Sequence, residues 1–458
     1  MKTIILAGGS GTRLFPLSRK CFPKQFIKIA SQKSLLAQTL NRFSAKVRAN
    51  DIVIITNQDY QFLVKDILAE EHLEQAHVIL EPIGRNTAPA IALAMQYCKD
   101  IMYVTDDEVL LVAPSDHLVR ADEQFLKAVN DAETLAQQGK IVTLGIVPTK
   151  PETGYGYIQC GEKLSIGNKV AAFQEKPDLA TAQQYLAQGG YYWNAGMFAF
   201  QIKMMEQELQ KYHPNIMALL KDGYTKAVNK FDAMPSISID YAVAEKSDKM
   251  AVVPFWGYWN DIGSWDALAE AKSDKNGNVV DGDVLLENCK KTMALSSGRL
   301  LVAEGLDGVN IVETNDVVYV GRRGNSQEVK KLYEKLQQQN RKEVIENLTM
   351  YRPWGSYTIL AEGEGYKVKK IVVKPGQKLS LQLHHYRSEH WTVVSGVATI
   401  KVDDKVMECQ ANEGTYIPIG SRHRLMNLTD KEVIIIEVQN GKYLGEDDIE
   451  RFDDEYGR

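Results

Sequence analysis

The run Thr3-Ile4-Ile5-Leu6-Ala7 passes directly into Gly8-Gly9-Ser10-Gly11-Thr12-Arg13. An apolar run that ends in a glycine cluster reads as a buried strand leading into a tight turn. Glycines at such a turn let backbone N–H groups close around phosphate oxygens. Arg13 supplies a planar cationic fork, and Lys24, a little further on, a point charge. No Gly-Lys-Ser/Thr follows, so this is not a Walker A loop. The third glycine of a dinucleotide fingerprint is replaced by Leu14, so it is not that loop either. A glycine cluster alone often marks only a turn, and the rest of the chain must say what the turn holds.

The first ~115 residues alternate between the two kinds of apolar pattern. After the first strand come a helix at Leu35–Ala45, a strand at Asp51–Thr56, a helix at Tyr60–Glu71 and a short strand at His77–Leu80. A helix at Thr87–Lys99, with Asn86 or Thr87 as its cap and Pro89 in its first turn, precedes a buried strand at Val109–Ala113. Such βα alternation implies a parallel sheet with right-handed crossovers. Ligands then sit at the carboxyl ends of the strands. That places Gly8–Arg13, Glu81–Thr87 and Ser115–His117 on one rim.

Beyond residue 140 the pattern is mixed, with strands at Lys140–Ile146, Val170–Phe173 and Trp193–Phe198. DKNGNVVDG at Asp274–Gly282 is a turn-rich break, followed to 323 by short Val/Leu/Ile runs that read as a β module or a piece of β-solenoid. Glu328–Leu348 is a charged helical connector. From 350 onward, short alternating runs at Lys367–Val373, Leu379–Leu383, Trp391–Val394, Ala398–Val402, Thr415–Ile419 and Glu432–Val438 predict an all-β sandwich or barrel. The acidic end, GEDDIERFDDEYGR, reads by itself as a solvated tail. Three domains result, at 1–273, 274–348 and 349–458, which suits a chain of 458 residues.

Charge and cysteine content narrow the class. A net charge of −5, with acids and bases mixed along the chain, argues against a nucleic-acid binder. Five scattered cysteines without CxxC fit a reducing compartment. The N-terminal apolar run is too short for a signal peptide, and no run of ~18 apolar residues offers a membrane span. The expectation is a cytoplasmic protein, with oligomeric state, including a homo-oligomer, left open.

Several residues suit phosphate and sugar chemistry. Asp116 follows a buried strand, and Asp261 lies in Trp259-Asn-Asp-Ile-Gly-Ser-Trp265. Each alone is an ordinary turn former, but together they could hold Mg²⁺, which takes one or two carboxylates plus substrate phosphates. Glu175 and Lys176 could meet a sugar hydroxyl and a sugar phosphate, though EKP is also a common solvated turn. Gly154 and Tyr155 permit close backbone approach and aromatic packing on a sugar, and Asn194 and Gly196 could do likewise. Arg85, Asn86 and Thr87 stand at a helix start, where free N–H groups suit a nucleotide.

These segments carry a resemblance. GGSGTRL, PLSR and PKQF, followed in order by EPIGRNTAPAI, PSDH, TGYGYI, FQEKP, WNAGMF, SIDYAVAEK and WNDIGSWDAL, resemble the mannose-1-phosphate guanylyltransferases over about residues 1–350. Phe15 stands where that family usually has Trp, and Gln174 where it usually has Val. The resemblance implies a Rossmann-like, GT-A-like α/β domain that joins GTP and mannose 1-phosphate. In it Gly8, Gly9, Gly11 and Thr12 form the nucleotide loop, and Arg13 and Lys24 neutralise the phosphates. Asp116 and Asp261 would hold Mg²⁺, Lys176 the sugar phosphate, and Glu175 and Asn194 the sugar.

The last domain has its own constellation. Strand alternation puts Gln382 and His384 on one face, with Glu389 and His423 following. A lone histidine is usually a core residue, whereas Gln, His, Glu and His at this spacing read as a mononuclear metal site. Gly376, His384, Glu389, Gly396, Pro418, Gly420, His423 and Asn427 are similar to the two cupin motifs, with Gln382 in place of the first histidine. QLHHYRSEHWTVVSGVA, IPIGSRHRLMN and the closing YLGEDDIERFDDEYGR resemble the C-terminal domain of type II phosphomannose isomerases. That resemblance implies a cupin β-barrel with a divalent metal (Zn²⁺, Co²⁺ or similar) that interconverts mannose 6-phosphate and fructose 6-phosphate. Arg387 would bind or polarise substrate and His390 would carry the proton. The alternatives are a barrel that no longer isomerises, or one that serves as a sugar-phosphate-binding or assembly module.

Overall fold

The computed structural model describes residues 1–9, 11–29, 31–325 and 328–453, leaving Ser10 of the glycine turn and the last residues of the acidic end outside. The chain divides into two compact units, Met1–Thr314 with Val318–Asn340, and Asn315–Val317 with Arg341–Arg458. No helix among the described residues is long and apolar enough to cross a membrane.

The first unit is built on a nine-stranded sheet. Its order is His77–Glu81, Ile52–Asn57, Lys2–Leu6, Val109–Pro114, Tyr191–Gln201, Ile141–Ile146, Met250–Phe255, Asn168–Gln174, Tyr157–Lys163. The first four strands run parallel, as βα alternation requires. Tyr191–Gln201 enters antiparallel between Val109–Pro114 and Ile141–Ile146. Strand alternation sends Ile4, Val53 and Leu110 to one core and Ile5, Ile54 and Leu111 to the other. Helices cover both faces, and side-chain caps start several of them. Ser34 accepts from the Ala37 N–H at 3.1 Å and Asp122 from the Phe125 N–H at 3.0 Å.

Residues 279–322 form a β-solenoid fragment. Val279–Asp281, Met293–Ser296 and Val309–Glu313 stack in parallel, as do Val284–Glu287 and Leu301–Glu304, and Val318–Arg322 closes the stack antiparallel. Val279 pairs with Met293 and Met293 with Asn310, steps of 14 and then 17 residues, so the sequence shows no strict period. The expected long connector helix is shorter, Glu328–Gln338. Asn340 adopts a left-handed φ of 55° just beyond it, a common helix stop. That helix is more than a solvated face, because Val329 and Tyr333 are buried and the Tyr333 ring meets Phe15 edge-on at 6.0 Å.

The second unit is a β-barrel of cupin type made of two sheets. One holds Thr349–Arg352, Gly355–Gly363, Tyr366–Val373, Val433–Gly441, Arg387–Ser395 and Gly414–Ile417. The other holds Lys405–Cys409, Ala398–Val402, His423–Met426, Leu381–His384 and Ile449–Asp453. Trp354, Ile371, Trp391, Val393, Ile400, Leu425 and Ile435 fill the space between them. The acidic end is not wholly a solvated tail. Ile449–Asp453 pairs antiparallel with Leu381–His384, and buried Asp448 accepts from the His385 N–H at 3.0 Å. The backbone pairing outweighs the polar composition there.

Candidate functional site

In the first unit the rim of strand ends gathers residues from distant segments. Gly8 follows the Lys2–Leu6 strand, and Glu81 ends the strand at the sheet's edge. The two lie so close that a Cβ on Gly8 would stand 2.7 Å from Glu81 Oε2. Gly11 turns the loop with φ +54°, a left-handed conformation that glycine adopts freely. Gln25 braces the loop from behind, donating Nε2 to the carbonyls of Ala7 at 2.8 Å and Gly9 at 3.1 Å. Arg13 is exposed at the mouth, with Thr12 beside it.

Lys24 is the centre of this rim. Its buried ammonium lies 2.8 Å from Asp116 Oδ2 and donates to the backbone carbonyl of Asp261 at 2.5 Å. The Asp116 carboxylate and the Asp261 backbone, 145 positions apart in sequence, thus meet at one cation. The Asp261 carboxylate accepts from Tyr155 OH at 2.8 Å and from the Gly263 N–H at 3.0 Å. Burial works to raise the Asp116 pKa, but Lys24 and His117 hold it below the usual carboxylate range. Burial and the adjacent Asp261 both push the Tyr155 phenol upward, so it stays a donor. The residue after Asp261, Ile262, has φ +44°, a costly conformation for a β-branched side chain. Two carboxylates on an open rim suit Mg²⁺, whose remaining positions phosphate oxygens and water would fill.

The loop that carries Lys24 is anchored from below. Trp265, fully buried, donates Nε1 to the Phe15 carbonyl at 3.2 Å, and buried Arg19 donates Nε to the Pro16 carbonyl at 2.7 Å. Phe15 is the site of the expected family departure and is itself buried.

Farther along the rim, the Glu175 carboxylate pairs with Lys176 at 2.6 Å, and Lys176 has a left-handed φ of +47°. The Gly154–Tyr155 loop reaches the same place, since the Lys176 N–H donates to the Tyr155 carbonyl at 3.2 Å. The Tyr155 ring packs edge-on against Trp193 at 5.1 Å and Trp259 at 5.2 Å. The Asn194 N–H donates to the Gly156 carbonyl at 2.8 Å, next to Tyr155. Asn86 caps the helix Thr87–Asp100, accepting from the Thr87 N–H at 2.8 Å, and Arg85 donates to the Asp232 carbonyl.

Glu81, placed on the rim by sequence but given no role there, also stands here. Glu81 is buried, and its Oε1 has no hydrogen-bond partner among the described residues. Burial pushes its pKa up to about 7. Its position at the end of a strand, two residues past the Ile79 core position, was a usable signal.

In the second unit the ligand atoms of His384, Glu389 and His423 lie within 4.8 Å of one another, and all three residues are buried. Gln382 faces His423 across the strand pair, as alternation requires. His384 Nε2 is 3.0 Å from Glu389 Oε1, and His423 Nε2 is 3.6 Å from Glu389 Oε2. His384 Nδ1 and His423 Nε2 are buried and have no hydrogen-bond partner among the described residues. Unpartnered imidazole nitrogens beside a buried carboxylate fit a divalent metal, which would use the lone pairs that burial otherwise strands.

An outer layer supports Glu389. Arg387 Nε donates to its Oε1 at 3.3 Å, Gln439 Nε2 to the same oxygen at 3.1 Å, and Trp391 Nε1 to Oε2 at 3.0 Å. Burial works to raise Glu389, but His384, His423 and Arg387 together hold it well below the usual carboxylate range. Neighbouring Glu437 goes the other way, pushed up to about 8 by burial and by the Glu389 charge. Glu437 and Gln439 escaped notice because one lies at the end of an expected strand and the other just past it, although their two-residue spacing marks one face.

His390 does not join this group. On the strand Arg387–Ser395, Arg387, Glu389 and Trp391 point inward, while His390 is exposed on the other face with its ring 4.7 Å from Tyr416. The period of two that places Glu389 inside excludes its neighbour.

Comparison with known proteins agrees with this division. A nucleotidyl transferase family model matches residues 2–277, and a mannose-6-phosphate isomerase C-terminal model matches residues 339–454. The chain is 46% identical to the xanthan biosynthesis protein XanB of Xanthomonas campestris pv. campestris (strain B100), covering 99% of this chain and 98% of that one. It is 43% identical to a mannose-1-phosphate guanylyltransferase of Salmonella montevideo, covering 99% of each. A crystal structure described as a mannose-1-phosphate geranyltransferase from Thermus thermophilus superposes with a TM-score of 0.68 at 30% identity, covering 73% of this chain and 99% of that one.

Proposed function

We propose how two chemistries are divided along this chain, which belongs to the family of bifunctional mannose-1-phosphate guanylyltransferases/phosphomannose isomerases. The N-terminal unit transfers GMP from GTP to mannose 1-phosphate, forming GDP-mannose, and the C-terminal barrel is a cupin-type mannose-phosphate isomerase domain. The residue roles that follow are our reading.

GTP lies along the rim with its phosphates over Gly8, Gly9, Gly11 and Thr12. Guanine lies toward Glu81, whose carboxylate can accept from the N1–H and the N2 amine of the base. Arg85, Asn86 and Thr87 border the same end. The mannose 1-phosphate oxygen attacks the α-phosphorus, the bond to the β-phosphate oxygen breaks, and pyrophosphate leaves. Asp116 and Asp261 would hold Mg²⁺, which supplies charge neutralisation at the phosphates and orients the leaving group. Lys24, fixed between those two residues, stabilises charge that develops on the α-phosphate, and Arg13 covers the outer phosphates. Lys176 holds the phosphate of the incoming sugar, and Glu175 keeps that ammonium in place. Gly154 and Tyr155 line the sugar side. A cytoplasmic setting supplies both substrates.

The observation that carries this reading is that Lys24 ties the Asp116 carboxylate to the Asp261 backbone carbonyl, which brings these two distant segments to one point of the rim. The test is GDP-mannose formation from GTP, mannose 1-phosphate and Mg²⁺. Asp116→Ala and Asp261→Ala are each expected to lower kcat on the order of 100-fold or more. Retained turnover in both variants overturns the assignment.

In the barrel, Gln382, His384, Glu389 and His423 would hold a divalent metal, which would supply charge stabilisation to the sugar oxygens when mannose 6-phosphate and fructose 6-phosphate interconvert. Arg387 fixes the Glu389 carboxylate rather than reaching into solvent, because its side chain is buried against that residue and the Gly445 carbonyl. The proton carrier belongs to the inner face of the barrel, and His390 is therefore set aside.

A further inference from the structure

Four segments of the first unit are laced into one floor beside Lys176. The Asn194 N–H donates to the Gly156 carbonyl at 2.8 Å, and the Lys176 N–H to the Tyr155 carbonyl at 3.2 Å. Glu175 lies over Gly156, where a Cβ would stand 2.6 Å from Glu175 Oε2. The fourth segment is a turn of π-helix at Asp240–Ala244, a form that recurs at functional sites. It ties to two of the others. Glu245, just after it, accepts from the Glu175 N–H at 2.9 Å, and Asp240 Oδ1 accepts from Asn194 Nδ2 at 2.9 Å.

Asn194 is occupied by the protein itself. A primary amide offers two acceptor lone pairs and two N–H donors. Its oxygen already accepts from Thr143 Oγ1 at 2.7 Å and from the Gly196 N–H at 3.1 Å, and one N–H goes to Asp240. Three of its four capacities are spent on holding its own loop and one carboxylate. Asp240 is half-buried at the edge of the Glu175–Lys176 pair, its Oδ1 held by Asn194 and its carboxylate steadied as well by Ser238 and by its own backbone N–H. Burial, with the Glu175 charge added, pushes its pKa up to about 6, a cost that a ligand donating hydrogen bonds would relieve.

We propose that Asp240 is a specificity-determining residue of the sugar subsite, accepting from hydroxyls of the mannose ring, and that Asn194 is its positioning residue. The proposal rests on the nucleotidyl-transfer reading above and names which side chain of that site reads the sugar. Pyranose hydroxyls are recognised by acceptors fixed in advance, and a carboxylate anchored by its neighbours presents its remaining lone pairs in a set direction. A sugar phosphate with a hydroxyl inverted misaligns its donors against that oxygen while its phosphate still reaches Lys176.

The experiment measures kcat/KM of the full chain with GTP and either mannose 1-phosphate or its 2-epimer, glucose 1-phosphate. Asp240→Asn is expected to raise KM for mannose 1-phosphate on the order of 10–100-fold, the usual range for a lost charge-assisted hydrogen bond, with KM for GTP unchanged. Selectivity for mannose over glucose should fall by a similar factor. Asn194→Leu should act in the same direction, and the double variant should lose little more than Asp240→Asn alone, because both act through one carboxylate. Unchanged selectivity in Asp240→Asn overturns the proposal, as does an equal rise in KM for GTP and sugar, the signature of a structural role. If Asp240→Asn does not fold, Asn194→Leu decides alone: it must lower selectivity without moving KM for GTP. Wild-type protein that makes no GDP-mannose refutes the underlying reading, whereas active wild type with selectivity unchanged in the variants refutes only this inference.

Discussion

Single side chains set the chemistry of each site, and their environments yield measurable consequences. Glu81 is buried with an unpartnered oxygen and a pKa near 7. Its folded state therefore holds a proton that the unfolded chain releases near the ordinary glutamate value. Stability should fall as pH rises from about 4.5 to about 7, by on the order of 2–3 kcal/mol from this residue, and then level off. Glu81→Gln should remove that decline, as read from denaturant midpoints across the range in both proteins; identical pH profiles would contradict the assignment. The same substitution replaces a carboxylate with an amide opposite guanine. Discrimination between GTP and ITP, which lacks the N2 amine, should drop about tenfold in kcat/KM. At this scale the sequence was most legible in its long motifs, which carry Lys24, Asp116 and Asp261 from separate segments to one point of the rim. Glu81 and Asp240 were given no role because an isolated acid beside a strand or turn looks like any cap until burial shows it unsolvated. His390 was misread because adjacency in sequence is opposition on a strand.

Elements hold those side chains in place, and the most informative is the short helix Trp265–Lys272 after the Asp261 loop. Ser264 caps it, accepting from the Ala267 N–H at 3.1 Å, and Trp265 reaches back to the Phe15 carbonyl. One helix start thus fixes both the proposed Mg²⁺ loop and the loop that carries Lys24. Ser264→Ala should cost about 1 kcal/mol of stability by urea titration. Trp265→Phe leaves the Phe15 carbonyl without its donor and should cost about 1–3 kcal/mol while raising KM for GTP. An unchanged KM would show that the link is merely structural. The βα alternation and the barrel strands were legible because their hydrophobic periods are strong. The strand Ile449–Asp453 was not, because its acidic residues hide a pairing that backbone hydrogen bonds create. The unequal steps of the solenoid hid its repeat in the same way.

At the scale of the whole molecule, two chemistries on one chain use unlike solutions. The first unit opens a rim of strand ends to phosphates, with cations and carboxylates in alternation. The second encloses His384, Glu389 and His423 between two sheets, supported by Arg387, Trp391 and Gln439. Neither constellation borrows a residue from the other among those named, so the activities should be separable by substitution. The central claim is tested by assaying both reactions on the His384→Ala variant of the full chain. The account predicts that GDP-mannose still forms from GTP and mannose 1-phosphate at the wild-type rate, while fructose 6-phosphate no longer forms from mannose 6-phosphate. Isomerisation that survives in His384→Ala would contradict it.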